Sequence, residues 1–285
     1  MVVVVAAALV AGCATPFVAP PGDAPVRYRD LVFGSVTTTS GVSYGRATDQ
    51  QGVDVDLRLD LYSPQGDTVT ARPAIVWVHG GSFRSGSSTS PEIVDQATTF
   101  ARKGYVTASI NYRLSTGGCS AAAPSAGCIT AIVDAQHDAQ AAVRFLRSRA
   151  AAYGIDPERI AIAGSSAGAI TALNVGYNRT DPGASGNPGW SSGVRAAVSL
   201  SGAMLLATAD AGDAPALLFH GTADTTVPYQ WAVNTVDAAK AANLAVYLTT
   251  FDGAGHVPYA QHRAEILDQT TNFLFWELDL LHAAA

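Results

Sequence analysis

Six short stretches of the chain, Ala74–Val78, Tyr105–Ile110, Ile160–Ala163, Ala196–Leu200, Ala216–Phe219 and Ala245–Leu248, consist almost wholly of apolar and small residues. Continuous runs of this kind fit central strands buried on both faces, as in parallel sheets. Helix-like segments lie between them at Pro91–Lys103, Ile129–Tyr153, Gln230–Ala242 and Glu265–Leu281. In the longest, Ile132, Val133, Ala142, Val143 and Leu146 supply the apolar positions. The pattern upstream is different. Val53–Tyr62, VDVDLRLDLY, alternates strictly, which predicts a half-buried strand with Asp54, Asp56, Arg58 and Asp60 on its wet face. Leu31–Ala47 alternates apolar and small polar residues and is expected to form an edge strand or hairpin, and Pro64–Ala71 reads as a turn. Strands and helices in alternation after an antiparallel start predict one α/β domain, a doubly wound, mostly parallel sheet flanked by helices. At 285 residues, 48% hydrophobic and 14% charged, the chain can fill the core such a domain needs.

A formal net charge of -6, with no dense Lys/Arg run, argues against nucleic acid as a partner. No stretch approaches twenty apolar residues, so no ordinary transmembrane helix is expected. Met1–Gly12 is almost entirely apolar and ends Val10-Ala11-Gly12-Cys13. It resembles a bacterial lipoprotein signal, in which the cysteine is lipidated. Residues 1–13 are therefore read as a signal and lipobox segment, with Cys13 as the lipidation site. A truncated secretory signal is the alternative, and both readings export the chain. Membrane contact is then expected only through the N-terminal lipid. Thr15–Pro25 is rich in Pro, Ala and Gly, so residues 14–29 read as a tether and residues 30–285 as the folded domain. Cys119 and Cys128 remain, flanking SAAAPSAG, and an exported protein permits the disulfide predicted between them.

The run Ile160–Ala163 feeds Gly164-Ser165-Ser166-Ala167-Gly168 and then a helix-like stretch. That places a G-x-S-x-G pattern at a strand-to-helix turn, the context in which it carries meaning. A sharp turn there forces Ser166 into strained geometry and lifts its hydroxyl above the sheet. The free N–H groups of the helix that follows favour negative charge at the site. Ser165 is read as a packing or hydrogen-bonding residue. A serine hydroxyl needs a base, and the base needs an orienter. On such turns the chain order is serine, acid, histidine. Asp224 in ALLFHGTADTTVP and His256 in the Gly-rich FDGAGHVPY both follow buried strands, at the sheet end where doubly wound folds build sites. His256 is assigned as general base and acid, and Asp224 as its orienter. Asp252 and Asp213 compete with Asp224, and His262 with His256. His220 reads as a structural turn residue, and His137 and His282 as solvated. Acyl transfer also needs N–H donors for an oxyanion. Trp77–Phe83, WVHGGSF, follows a buried strand, so the expected donors are the N–H groups of Gly81 and Ser82, with that of Ala167. Gly80 substitutes for one of them in a shifted register, and His79 braces the loop.

His79-Gly80-Gly81, NYRL (Asn111–Leu114), GIDPERIAIAGSSAGA (Gly154–Ala169), HGTADTTVP and GAGH together resemble the α/β-hydrolase superfamily. Within it they resemble the carboxylesterase/lipase group with hormone-sensitive-lipase-like and feruloyl-esterase-like members. Ser82 stands where many of these have a third glycine, and Ala169 where glycine often follows the motif. The resemblance implies the α/β-hydrolase fold and a structural Arg113–Asp138 pair beneath the site. It implies a serine hydrolase that cleaves carboxylic esters through an acyl-enzyme on Ser166, with no metal and no organic cofactor. Ser201–Pro215 is too short for a lid domain, so the site is expected to be open and to suit short-chain esters, or aryl and carbohydrate esters. The loop 177–194 is expected to form one rim, with Trp190 either touching substrate or packing. The competing readings are a peptidase or acyltransferase with the same three residues, and a non-catalytic surface lipoprotein that binds rather than cleaves.

Overall fold

The computed structural model describes residues 18–119, 125–178, 181–281 and 283. Cys13, read above as a lipidation site, and His282 lie outside them. Among the described residues the strands are β1 (Val36–Thr48), β2 (Asp54–Pro64), β3 (Arg72–Val78), β4 (Val106–Ile110), β5 (Ile155–Ser165), β6 (Ala196–Leu200), β7 (Ala216–Gly221) and β8 (Val246–Phe251). The helices are α1 (Pro91–Arg102), α2 (Ala126–Ser148), the short α3 (Ala150–Tyr153), α4 (Ala167–Gly176), α5 (Tyr229–Ala241) and α6 (Tyr259–Glu277). One sheet holds all eight strands in the order β1-β2-β4-β3-β5-β6-β7-β8. Pairing is antiparallel from β1 to β2 and from β2 to β4, and parallel thereafter. This is the α/β-hydrolase architecture.

The unbroken apolar runs are explained by two cores. Along β3, Ala74, Val76 and Val78 enter a cluster with Ile132, Leu146 and Leu173 of α2 and α4. Ile75 and Trp77 enter a second cluster with Phe100 of α1 and Phe273 of α6. A strand covered on both faces has no wet side for polar residues to occupy. Local signals set the helix ends. Pro91 opens α1, where its missing N–H costs nothing, with Glu92 in the first turn and Arg102 in the last. Ser125 caps α2, its hydroxyl accepting the Cys128 N–H at 3.2 Å.

Three expectations need correction. Asp60 is not on a wet face but buried. Its carboxylate accepts Gly41 N–H at 2.9 Å and Ser88 Oγ–H at 2.7 Å, because the loop after β3 folds back over that end of β2. Residues 31–35 add no strand, and β1 begins at Val36. The described part of the predicted tether is packed on the body. Tyr28 is fully buried, Arg27 pairs with Asp67, and Trp276 Nε1–H donates to Val18 O at 2.8 Å. Two anchoring side chains outweigh the Pro/Ala/Gly composition around them. Among the described residues no helix is long and apolar enough to cross a membrane.

Candidate active site

The chain's direction of growth across the sheet reverses at β3, which has β4 on one side and β5 on the other. In open α/β sheets the crevice beyond the strand C-termini at such a switch point is where ligands bind. The loop His79–Phe83 leaves β3 there, and Ser166 stands between β5 and α4.

Ser166 has φ 53° and ψ -119°, a backbone conformation that costs an L-residue energy and is held by its surroundings. Its N–H donates to Leu200 O at 2.8 Å. Gly168 makes the tight turn possible, because a Cβ there would overlap the Val78 carbonyl oxygen. The Ser166 hydroxyl lies 2.8 Å from His256 Nε2, and His256 Nδ1 lies 2.7 Å from Asp224 Oδ2. A carboxylate only accepts, so Nδ1 carries the hydrogen and Nε2 is left to accept from Ser166. The Thr226 and Val227 N–H groups donate to Asp224 Oδ1 at 2.9 and 3.0 Å. The loop bearing His256 is tied down on both sides: Val257 N–H donates to Ser201 Oγ at 3.0 Å, and Ala223 N–H to Ala254 O at 2.9 Å.

The structure thus brings Ser166, His256 and Asp224 into one hydrogen-bonded line, and the rivals lie elsewhere. Asp252 is exposed and accepts from Thr222 Oγ at 3.1 Å. Asp213 accepts the Asp210 N–H. His262 stacks on Phe251 with ring centroids 3.9 Å apart. His137 is partly covered and 2.9 Å from Asp181. His220 departs from its reading as a turn residue: it is fully buried at the end of β7 with Nε2 3.2 Å from Asp224 Oδ2. Burial holds its imidazole below the ordinary histidine range, against the opposing pull of the Val227 carbonyl and Asp224.

The oxyanion candidates occupy a strained loop. Gly81, Ser82 and Phe83 all have positive φ, at 116°, 53° and 58°. Gly81 tolerates no side chain, since a Cβ would overlap Ser85 O. Among the described residues the backbone N–H groups of Gly81, Ser82 and Ala167 donate to no protein acceptor. His79 is buried, stacks on Tyr112 at 4.3 Å, and has Nδ1 2.7 Å from Gly80 O. Ser165 Oγ–H donates to Glu92 Oε1 at 3.1 Å, away from the His256 line.

A cavity of about 440 Å³ opens beside Ser166. Its walls include Phe83, Ile132, Ile170, Leu205 and Trp231, together with the Cys119–Cys128 disulfide, which the structure contains. Leu205 and Leu206 come from the short 201–215 segment, and among the described residues no inserted helical domain covers the site. Among the described residues of the loop 177–194, none lines the cavity. Arg113 donates to Ser185 Oγ at 3.1 Å, Arg144 to Gly186 O at 2.9 Å and Asn187 to Tyr44 O at 2.6 Å, which pin that loop against α2 and β1. Trp190 is half exposed and outside the cavity lining. The Arg113–Asp138 pair is present and buried at 2.8 Å. Ser201, His220 and the apolar walls escaped sequence reasoning. Only His220 left a signal, its i, i+4 spacing to Asp224. Among the described residues no group of three or more His, Cys, Asp or Glu side chains is placed to hold a metal ion.

Residues 59–204, more than half of the chain, match the BD-FAE family model, and residues 198–280 match that of the prolyl oligopeptidase family. Phenmedipham hydrolase of Pseudarthrobacter oxydans is 38% identical over 116 residues, covering 40% of this chain and 22% of that protein. Carboxylesterase 3B of Mus musculus is 33% identical over 120 residues, covering 40% and 19%. The shared stretch spans about a fifth of the length of these curated relatives. Among solved structures, Thermogutta terrifontis esterase 2 phosphorylated by paraoxon is similar at a TM-score of 0.69 and 26% identity, over 86% of this chain and 95% of that one. The butyrate-bound form of the same esterase gives 0.69 and 25%, over 87% and 96%. With the fold, the strand-to-helix serine and the match over residues 59–204 in agreement, the chain belongs to the BD-FAE family of α/β-hydrolases.

Proposed function

We propose that this chain is a serine hydrolase that cleaves carboxylic esters through an acyl-enzyme on Ser166. The observation that carries the reading is the line Ser166–His256–Asp224, with distances of 2.8 and 2.7 Å, at the mouth of an apolar cavity. As Ser166 Oγ bonds to the ester carbonyl carbon, its proton passes to His256 Nε2. Asp224 holds the imidazole in the required tautomer and stabilises the positive charge that forms on it. The carbonyl oxygen becomes an oxyanion, for which the unpartnered N–H groups of Gly81, Ser82 and Ala167 are the available donors. Collapse breaks the bond to the alcohol, which leaves with the proton from Nε2. Water repeats the sequence on the acyl-enzyme, yielding the acid and free Ser166.

The cavity falls within the small-molecule range of roughly 300–1,000 Å³. The apolar walls support a short acyl or aryl group seated inside, with the other part of the ester outside. The butyrate- and propionate-bound forms of the Thermogutta terrifontis esterase support the same size class. Amide cleavage is the second reading, favoured by the prolyl oligopeptidase match across the segment that carries Asp224 and His256.

The test compares p-nitrophenyl acetate, butyrate and octanoate with wild type and Ser166→Ala. Wild type is expected to turn over the short esters fastest. Ser166→Ala is expected to cut kcat by about six orders of magnitude, as the loss of a triad serine does in subtilisin. Undiminished turnover by Ser166→Ala would overturn the assignment. A p-nitroanilide cleaved faster than the matching ester would favour the peptidase reading.

A further inference from the structure

His220 plays no part in the mechanism above, yet it is fully buried and touches Asp224. Its Nε2 lies 2.9 Å from Val227 O. A carbonyl oxygen only accepts, so Nε2 carries the hydrogen. Asp224 Oδ2 lies 3.2 Å from the same Nε2, a close electrostatic contact beside the hydrogen bond to Val227 O. Nδ1 is buried and has no hydrogen-bond partner among the described residues. A second proton would have to sit on that nitrogen, away from water and from any acceptor, a costly placement. The groups facing the ring are Asp224, His256 and the Tyr229 ring, whose centroid is 5.9 Å away.

We infer that His220 is a positioning residue, a neutral imidazole whose Nε2–H is anchored on Val227 O and whose Nε2 edge, 3.2 Å from Asp224 Oδ2, fixes the Asp224 carboxylate in the orientation His256 requires. Oδ2 is hydrogen-bonded to His256 at 2.7 Å and has the His220 Nε2 edge against it at 3.2 Å, while Oδ1 is held by two backbone N–H groups. With both oxygens gripped, the carboxylate plane cannot rotate away from His256 Nδ1. Neutrality matters as well. A cationic His220 would compete with the imidazolium of His256 for the same negative charge at the moment of acyl transfer. A neutral imidazole orients the carboxylate through its polar N–H edge without weakening that stabilisation. The unpartnered Nδ1 is therefore the means by which the fold keeps this second imidazole uncharged.

The inference rests on the serine-hydrolase reading, and its test separates the two. Wild type, Ser166→Ala, His220→Gln and His220→Leu are compared on p-nitrophenyl butyrate, each verified as folded by circular dichroism. His220→Leu is expected to lower kcat by about 10- to 100-fold, the scale of a misplaced catalytic group, with KM little changed. The acid limb of its rate profile is expected to move relative to wild type. His220→Gln, which returns an N–H at similar reach, is expected to recover most of kcat and the wild-type profile. In wild type, ¹⁵N NMR of labelled histidine is expected to show His220 as the neutral Nε2–H form across the active pH range. The inference is overturned if both variants match wild type in kcat and profile, if Gln is as impaired as Leu, or if His220 carries its hydrogen on Nδ1 or titrates where activity changes. Should His220→Leu fail to fold, the Gln variant and the NMR measurement decide. A wild type that hydrolyses no ester, alongside the expected tautomer, would strike the hydrolase reading and end the catalytic role with it.

Discussion

Lys103 sits just beyond α1, almost fully buried, with Nζ–H donating to Thr271 Oγ1 at 2.6 Å. Burial pulls its ammonium down to about 8, with Asp268 and Asp30 opposing from a distance. Because the folded value lies below the unfolded one, the unfolded chain holds more protons between about pH 8 and 10.5. Stability should therefore rise with pH through that window. Below it both states are protonated and the burial cost is fully present. Lys103→Met is expected to be more stable than wild type at pH 7, by up to about 3 kcal/mol, and to lose most of the gain between pH 8 and 10.5. Urea unfolding of both proteins at pH 7 and pH 10 measures this. A variant less stable at pH 7 would show that the Thr271 bond and the two aspartates outweigh desolvation. The same scale shows what the sequence could and could not announce. Ser166 is legible because the strand-to-helix turn is a local pattern, and Asp224 and His256 because strand order places their loops beside it. Asp60 is illegible because Ser88, which covers it, comes from a loop 28 residues away. His220 is illegible for a related reason, since its partner is defined only when the loop after β7 closes.

At the level of elements, the Cys119–Cys128 disulfide joins the loop after β4 to the first turn of α2. Cys119 N–H also donates to Ser82 O at 2.9 Å, so the bridge ties the strained Gly81–Phe83 loop to a cavity wall. A closed loop of this span contributes about 2–3 kcal/mol by restricting the unfolded chain. Reduction is expected to lower stability by about that amount. It should also lower kcat/KM on butyrate more than on acetate, because the bridge lines the space a longer acyl chain enters. Thermal unfolding and the two-ester ratio, each with and without reductant, check both parts. An unchanged ratio would remove the bridge from the acyl pocket. The central strands matched their apolar runs closely, since burial on both faces writes itself into composition. Helix starts were less legible. α6 opens six residues before its expected start and bends at His262, whose ring is drawn onto Phe251. The 177–194 loop was misplaced because the arginines that pin it lie on β4's exit and α2, far from it in sequence.

The whole molecule divides its labour between the two ends of one sheet. Loops at the strand C-termini carry Ser166, Asp224, His256 and the Gly81–Phe83 turn. The opposite end is closed by residues 18–33. Tyr28 N–H donates to Lys103 O at 2.7 Å, Phe33 N–H donates to Arg102 O at 3.0 Å, and the Tyr28 ring packs edge-on against Tyr105 at 5.3 Å. Tyr105 leads into β4, so this segment covers the N-terminal end of β4, a strand's length away from the chemistry. Damage there should cost stability and spare turnover. Tyr28→Ala removes a fully buried aromatic ring and is expected to destabilise the fold by about 3 kcal/mol or more, the range for large core truncations. In the fraction that remains folded, kcat and KM on p-nitrophenyl butyrate should stay at wild-type values. Urea unfolding measures the first effect, and kinetics well below the variant's melting temperature measure the second. A fall in kcat with the fold intact would mean that the two ends communicate through β3 and β4. The division of labour would then fail, and the N-terminal segment would have to be counted among the parts that shape the site.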